Sequence, residues 1–170
     1  MSVAILIGAP GAGKSSIGKA LAAHLRVQFT DTDNVIVKES GKSISQMLAD
    51  DGEAGFRSIE REIVEREIAT NNGVLSLGGG SILDSTIREL LTATSTPVIY
   101  LDVSLSNALP RISRSNDRPL LDQNPGSQWI ELMERRRPLY LECADIVVST
   151  DNQKPADVVK VIIERLNLAS

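Results

Sequence analysis

A chain of 170 residues, 42% of them hydrophobic, can bury one substantial core but is short for two ordinary domains, so a single domain over residues 1–170 is expected. The net charge of −4 and an isoelectric point near 5.1 argue against nucleic acid as the main partner, because phosphate backbones are met by basic surfaces. The longest apolar runs, residues 3–7 and 98–101, are strand-sized and far below the roughly 20 residues that cross a bilayer, so no membrane partner is expected.

Gly8 and Pro10 interrupt the first apolar run and no basic residue precedes it, which does not read as a secretory signal. The lone Cys143 has no partner for an internal disulfide, in keeping with a reducing compartment. A cytoplasmic protein is expected, with Cys143 a buried or half-buried spacer.

In chain order, residues 3–7 read as a strand covered on both faces and 14–25 as a helix. Between them Gly8 to Ser15 spell GAPGAGKS, the pattern GxxxxGK[ST]. Glycines let the backbone turn tightly and bring its N–H groups to phosphate oxygens, and the following helix offers its positive end. Gly11, Ala12 and Gly13 would contribute main-chain amides and Lys14 would bridge the β- and γ-phosphates. The Ser15 hydroxyl stands where it can coordinate Mg²⁺, and Ser16 follows within the helix. The motif alone leaves kinase, GTPase, motor and ATPase open.

A weaker run at 27–29 suggests a second strand, followed by Asp31, Thr32 and Asp33. Period-two spacing would put both carboxylates on one face, one near Mg²⁺ and the other able to accept a hydrogen bond from a substrate hydroxyl. Alternatively, Asp33 caps a helix beginning near Val35. The connection 31–52 is longer than a turn needs, which suits a binding segment.

Residues 56–68 have helical spacing and carry Arg57 one turn before Glu60, which could orient it, although an exposed pair at that spacing is equally ordinary. A third strand at 74–77 ends in Gly78, Gly79 and Gly80. There a ligand could approach the main chain, or the glycines could form a plain strand-to-helix turn.

A short helical stretch at 87–91 precedes a fourth strand at 98–101. Residues 113–127 are rich in Ser, Asn, Asp, Pro and Gly and hold Arg118, so 113–126 read as a mobile lid that could carry a positive charge onto a transferring phosphoryl group. A helix at 129–141 contains Arg136, a strand follows at 146–148, and Pro155 fits the first turn of a last helix covering 158–166. Alternating strand and helix with helix-length crossovers imply an α/β fold, a parallel sheet with helices on both faces and ligands at the carboxyl ends of its strands.

Taken together, GxxGxGKS, DTD, DGExxFRxxE, GGG after an apolar strand, RPLL from Arg118, and RxPLY from Arg136 resemble shikimate kinase over nearly the whole chain. The resemblance implies the three-layer αβα fold of the nucleoside monophosphate kinases, a five-stranded parallel sheet of order 2-3-1-4-5. It implies transfer of the ATP γ-phosphate to the 3-hydroxyl of shikimate, on the route to chorismate, by a monomer. Asp33 would hold the acceptor hydroxyls and act as base within a shikimate-binding segment at 34–60. Arg57, Arg136 and the Gly79 and Gly80 backbone would bind the rest of shikimate, with the carboxylate on the two arginines. Asp31 would act on Mg²⁺ through water, Arg118 would reach the phosphates, and Arg111 with Pro155 would flank adenine. Arg136 is chosen from the run 135–137 because it stands two residues before the proline. Leu48 stands where related proteins often carry an aromatic residue, and Asp102 has no metal role in the family pattern.

A gluconate kinase or nucleoside monophosphate kinase would share the phosphate loop but is not expected to pair DTD with GGG and RPLL. A GTP-binding switch lacks its Asn-Lys-x-Asp segment here, and a noncatalytic binding module would lack one of the metal, acceptor or charge-stabilising groups.

Overall fold

The computed structural model of the chain describes residues 1–113 and 124–169. Five short strands, β1 (Ala4–Ile7), β2 (Phe29–Asp31), β3 (Val74–Ser76), β4 (Val98–Asp102) and β5 (Ile146–Ser149), form one sheet. Every pairing is parallel and the order is β2-β3-β1-β4-β5, as the resemblance implies. The continuous apolar runs are explained by burial on both faces, since all four residues of β1 and all three of β3 are inaccessible. At the sheet edge β5 alternates, with Ile146 and Val148 buried and Val147 and Ser149 exposed.

Among the described residues seven α-helices flank the sheet: α1 (Lys14–Leu25), α2 (Thr32–Ser40), α3 (Ile44–Thr70), α4 (Ser85–Ala93), α5 (Leu105–Ser113), α6 (Pro125–Cys143) and α7 (Pro155–Ala169). The first and last pair with each other, while α4 packs against both α3 and α6. The main core lies around β1, β3 and β4 and includes Cys143. A smaller cluster of Ile36, Met47, Phe56 and Ile63 joins α2 to α3, with Leu48 packed at its border. Among the described residues no helix is long and apolar enough to cross a membrane.

Three expectations need correction. The second strand lies at 29–31, not 27–29, because Arg26 and Val27 finish α1. Arg26 turns left-handed at φ 58°, and the N–H groups of both residues return to Ala23 and Ala22 carbonyls, so neither joins the ladder. Asp31 and Asp33 therefore do not share a strand face. The Asp31 side chain caps α2 by accepting the Asp33 N–H at 2.9 Å, which starts the helix at Thr32 rather than near Val35, with Asp31 and not Asp33 as its cap. The connection 31–52 is helical too. Ser43 caps the start of α3, and Gly52, at φ 73°, bends the chain before Phe56.

Candidate active site

The carboxyl ends of β1, β3 and β2 lie side by side and their loops enclose a cavity of about 240 Å³. On the β1 side, the phosphate loop depends on residues that tolerate left-handed backbone. Gly11 has φ +84°, and a Cβ there would stand 2.8 Å from the Ala108 carbonyl oxygen. Gly13, at φ 88°, is the N-cap of α1 without a side-chain bond of its own. The loop carbonyls have side-chain donors. Lys14 Nζ donates to Gly8 O at 2.8 Å and Ala9 O at 3.1 Å, the Trp129 indole to Pro10 O at 3.2 Å, and Arg111 Nη1 to Gly11 O at 2.9 Å. Tying carbonyls back in this way leaves the loop's N–H groups, with Lys14 and Arg111 lining the same cavity, suited to an anion.

Across the cavity, Ser15 Oγ stands 3.5 Å from Asp31 Oδ2. The fully buried Thr32 uses its hydroxyl to accept the Gly78 N–H at 3.2 Å, binding the start of α2 to the end of β3. Asp33 consequently faces Gly78 so closely that a Cβ on that glycine would lie 2.5 Å from Oδ1.

Next to these carboxylates is a cationic cluster. Arg57 Nη1 bonds Glu60 Oε1 at 2.8 Å, and Glu60 is only 2% exposed, so the pair is not a solvated surface contact. Arg57 Nε is buried without a hydrogen-bond partner, an unsatisfied donor that leaves the guanidinium incompletely paired. Its guanidinium also lies directly against Gly80. Arg136 is 6% exposed, and its Nη1 would be 3.4 Å from a Cβ on Gly79. Arg135 and Arg137 are exposed. Burial lowers the Arg136 pKa and the nearby Arg57 adds to this, while Tyr140 and Glu60 oppose it. An added carboxylate would offset both the repulsion and the cost of desolvation by favouring the charged guanidinium.

Of the residues predicted from sequence, the cavity collects Gly11, Gly13, Lys14, Ser15, Ser16, Asp31, Asp33, Gly79 and Arg111. Arg57, Gly80 and Arg136 gather beside it around Gly79 and Glu60. Ala12 is buried behind the loop. Pro155 is exposed at the start of α7 and does not line the cavity. Arg118 lies outside the described residues, as does most of the segment 113–126. Asp102 accepts from Tyr100 and Arg137 at 3.1 and 3.0 Å, a local anchoring role. Sequence reasoning missed Thr32 and Trp129 as supports for the loops; the only signal was a hydroxyl between two acids and a single tryptophan.

Comparison with known proteins gives a consistent answer. The family model for shikimate kinase matches residues 10–167. A shikimate kinase of Rhodococcus jostii is 43% identical over 164 residues, covering 96% of each chain. The solved shikimate kinase of Acinetobacter baumannii in complex with shikimate superposes with a TM-score of 0.94 at 32% identity, covering 98% of this chain and 93% of that one. A gluconokinase from Sinorhizobium meliloti shares the fold at a TM-score of 0.58 and 19% identity, covering 99% of this chain and 93% of its own.

Proposed function

Since this chain belongs to the shikimate kinase family, we propose that it transfers the γ-phosphoryl group of ATP to the 3-hydroxyl of shikimate, giving shikimate 3-phosphate and ADP on the route to chorismate and the aromatic amino acids. The observation that carries this reading is the meeting of two unlike sites at Gly79, which lines the cavity with Lys14 and Asp33 and lies against Arg136. A phosphate cradle beside a pair of guanidiniums at adjacent glycines, Arg136 against Gly79 and Arg57 against Gly80, suits a donor with a polyphosphate tail and an acceptor that is a small hydroxylated acid.

In this reading the amides of the phosphate loop hold the β- and γ-phosphates, with Lys14 reaching across them. Arg57 and Arg136 clamp the shikimate carboxylate, and the N–H groups of Gly79 and Gly80 meet the rest of the ring acid. Asp33 accepts a hydrogen bond from the 3-hydroxyl, aims its oxygen at phosphorus and takes the proton as the bond forms. Catalysis then rests mainly on alignment and on charge placed before the reaction begins. Arg118, outside the described residues, is assigned to the phosphates, and Arg111 with Pro155 to the adenine side.

The donor set also fits Mg²⁺. The Ser15 hydroxyl and Asp31 carboxylate are hard oxygen donors 3.5 Å apart, and among the described residues no group of three His, Cys, Asp or Glu side chains could hold a metal. That arrangement suits a cation that keeps waters and phosphate oxygens rather than one caged by protein, with Asp31 acting through water. When bound, Mg²⁺ supplies charge neutralisation at the triphosphate. We assign the protein to the cytoplasm and expect it to act as a monomer.

A coupled ADP-release assay with shikimate, quinate, gluconate and nucleoside monophosphates tests the reading. Strong stimulation by shikimate alone is expected. Equal or greater stimulation by gluconate or a nucleotide would reject it.

A further inference from the structure

Between Gly78 and Ser81 the main chain is ordered by few of its own contacts. The Gly78 N–H donates to Thr32 and the Ser81 N–H returns to Gly78 O at 3.1 Å, but among the described residues the N–H groups of Gly79 and Gly80 donate to no protein acceptor. The peptide joining them is flanked by glycine on both sides. With no Cβ on either residue, rotation of that peptide plane meets little steric resistance, so local sterics do not decide which way its N–H points.

One side chain does decide it. The Tyr140 hydroxyl donates to Gly79 O at 2.6 Å, and Tyr140 is 1% exposed. Its ring stacks on Tyr100 with centroids 5.0 Å apart and planes 21° from parallel, so the hydroxyl is held by a rigid base. A trans peptide is planar with its C=O and N–H on opposite edges. Fixing the Gly79 carbonyl toward Tyr140 therefore turns the Gly80 N–H away from it. Arg136 stands one helical turn before Tyr140 on α6, and the two side chains interact electrostatically. Trp129, Met133, Arg136 and Tyr140 are spaced along one buried side of α6.

We propose that Tyr140 is a positioning residue of the acceptor site, one whose hydroxyl sets the direction of the Gly79–Gly80 peptide, so that the Gly80 N–H meets the ring acid already aligned. The inference rests on the functional reading above and adds a specific cause for acceptor affinity. In this role Tyr140 acts through the peptide rather than on the ring acid itself. Burial pushes its pKa up to about 12 against the pull of Arg136 and Arg57, so it stays a donor at physiological pH.

The test is Tyr140→Phe in the full chain, which removes the hydroxyl and keeps the ring stack. Tyr100→Phe serves as control, because the Tyr100 hydroxyl points to Asp102 instead. Tyr140→Phe is expected to raise KM for shikimate about tenfold, the scale of one lost buried hydrogen bond, with KM for ATP unchanged within about twofold and melting close to wild type. Tyr100→Phe should leave KM for shikimate in place. An unchanged KM for shikimate in Tyr140→Phe would overturn the proposal, as would equal changes in both KM values for both variants, which would mark a packing role only. Should Tyr140→Phe not fold, 3-fluorotyrosine incorporated into Tyr100→Phe labels position 140 alone, since the chain has two tyrosines. Its fluorine resonance should move on saturation with shikimate and stay in place with gluconate; no movement with shikimate overturns the idea. A wild-type enzyme that releases no ADP with shikimate rejects the functional reading and this inference with it. Wild-type activity beside an unaltered Tyr140→Phe rejects the role of Tyr140 alone.

Discussion

Gly80→Ala separates binding from folding with one methyl group. Gly80 sits at φ −88°, ψ −6°, ordinary right-handed backbone that alanine adopts without strain. The obstacle is Arg57, whose Cζ would lie 2.6 Å from the new Cβ, against 3.4 Å for ordinary contact. Its Nη1 and Nη2 would lie closer still, so the guanidinium must retreat by more than the Cζ shortfall of 3.4 − 2.6, about 0.8 Å. Because the clashing atoms are the far end of a flexible side chain, the fold loses about 1 kcal/mol, which for a chain of this size lowers Tm by about 2–4 °C. Function is less tolerant. A bidentate charge-assisted contact contributes about 1.5–3 kcal/mol, and a displacement near 1 Å in a positioning group costs up to about 100-fold. Coupled ADP release should show kcat/KM for shikimate reduced by about 10–100-fold and KM for ATP within about twofold. Thermal melting of the same preparation supplies the stability arm. A variant with full kcat/KM for shikimate would mean that Arg57 is not an acceptor contact, and one that melts about 10 °C lower would mean that Arg57 cannot yield.

Further outcomes follow from other contacts. Asp33→Asn should bind ATP nearly as wild type in calorimetry while turnover falls about 100-fold or more, the scale of a positioned acid–base group; near-normal turnover would remove Asp33 from the mechanism. Gly18→Ala should lower the urea midpoint, because its Cβ would enter the Phe29 ring; overpacking costs about 1–3 kcal/mol, partly offset by about 0.5–1 kcal/mol of helix preference, and an unchanged or higher midpoint contradicts this. Asp84 caps α4 through the Thr86 and Ile87 N–H groups and pairs with Arg61 at 2.5 Å. Desolvation pushes its pKa up, but Arg61 and the two N–H groups outweigh it and the net shift is downward. The folded-state value being depressed, the stabilisation is present above the unfolded value of about 3.9 and disappears as pH falls through the folded one. Asp84→Asn should therefore be less stable than wild type at pH 7 by under about 1 kcal/mol, Arg61 being half exposed, with the gap closing below about pH 4 in urea titrations; a constant gap down to pH 3 rejects the ion pair as its origin.

Features encoded locally were legible in the sequence. Buried parallel strands write themselves as unbroken apolar runs, so residues 74–76 and 98–102 were visible within a residue or two. The phosphate loop is a contiguous motif, and its Lys14 falls at the first position of α1 as expected. The short polar helix α2 was not, because Thr32 to Ser40 carries few apolar residues and its start is defined by the Asp31 carboxylate rather than by periodicity. The helix α5 hides behind Pro110, which ordinarily ends a helix. Nor could pattern reveal supports that join distant segments. Tyr140 reaches a carbonyl 61 positions away and Trp129 one 119 positions away, and no local rule connects them. The choice of Arg136 came from its place before Pro138, yet burial of that arginine between two exposed neighbours depends on the face that α6 turns inward.

The sheet order itself explains why the acceptor edge must end in glycine. Neighbouring strands are about 4.8 Å apart, so placing β3 between β1 and β2 sets the ends of those two strands about 10 Å apart, a gap that the Ser15 and Asp31 side chains reach across. The end of β3 lies in the middle of that gap, and side chains there would project into it. At Gly78 a Cβ would meet both Asp33 Oδ1, at 2.5 Å, and Glu60 Oε2, at 3.2 Å. At Gly79 it would wedge between Pro10 Cδ at 3.2 Å and Arg136 Nη1 at 3.4 Å, and at Gly80 it would displace Arg57. Three consecutive residues without side chains thus leave room for Asp33, Arg136 and Arg57, and the freedom this gives the backbone is offset by the bond from the Tyr140 hydroxyl to Gly79 O.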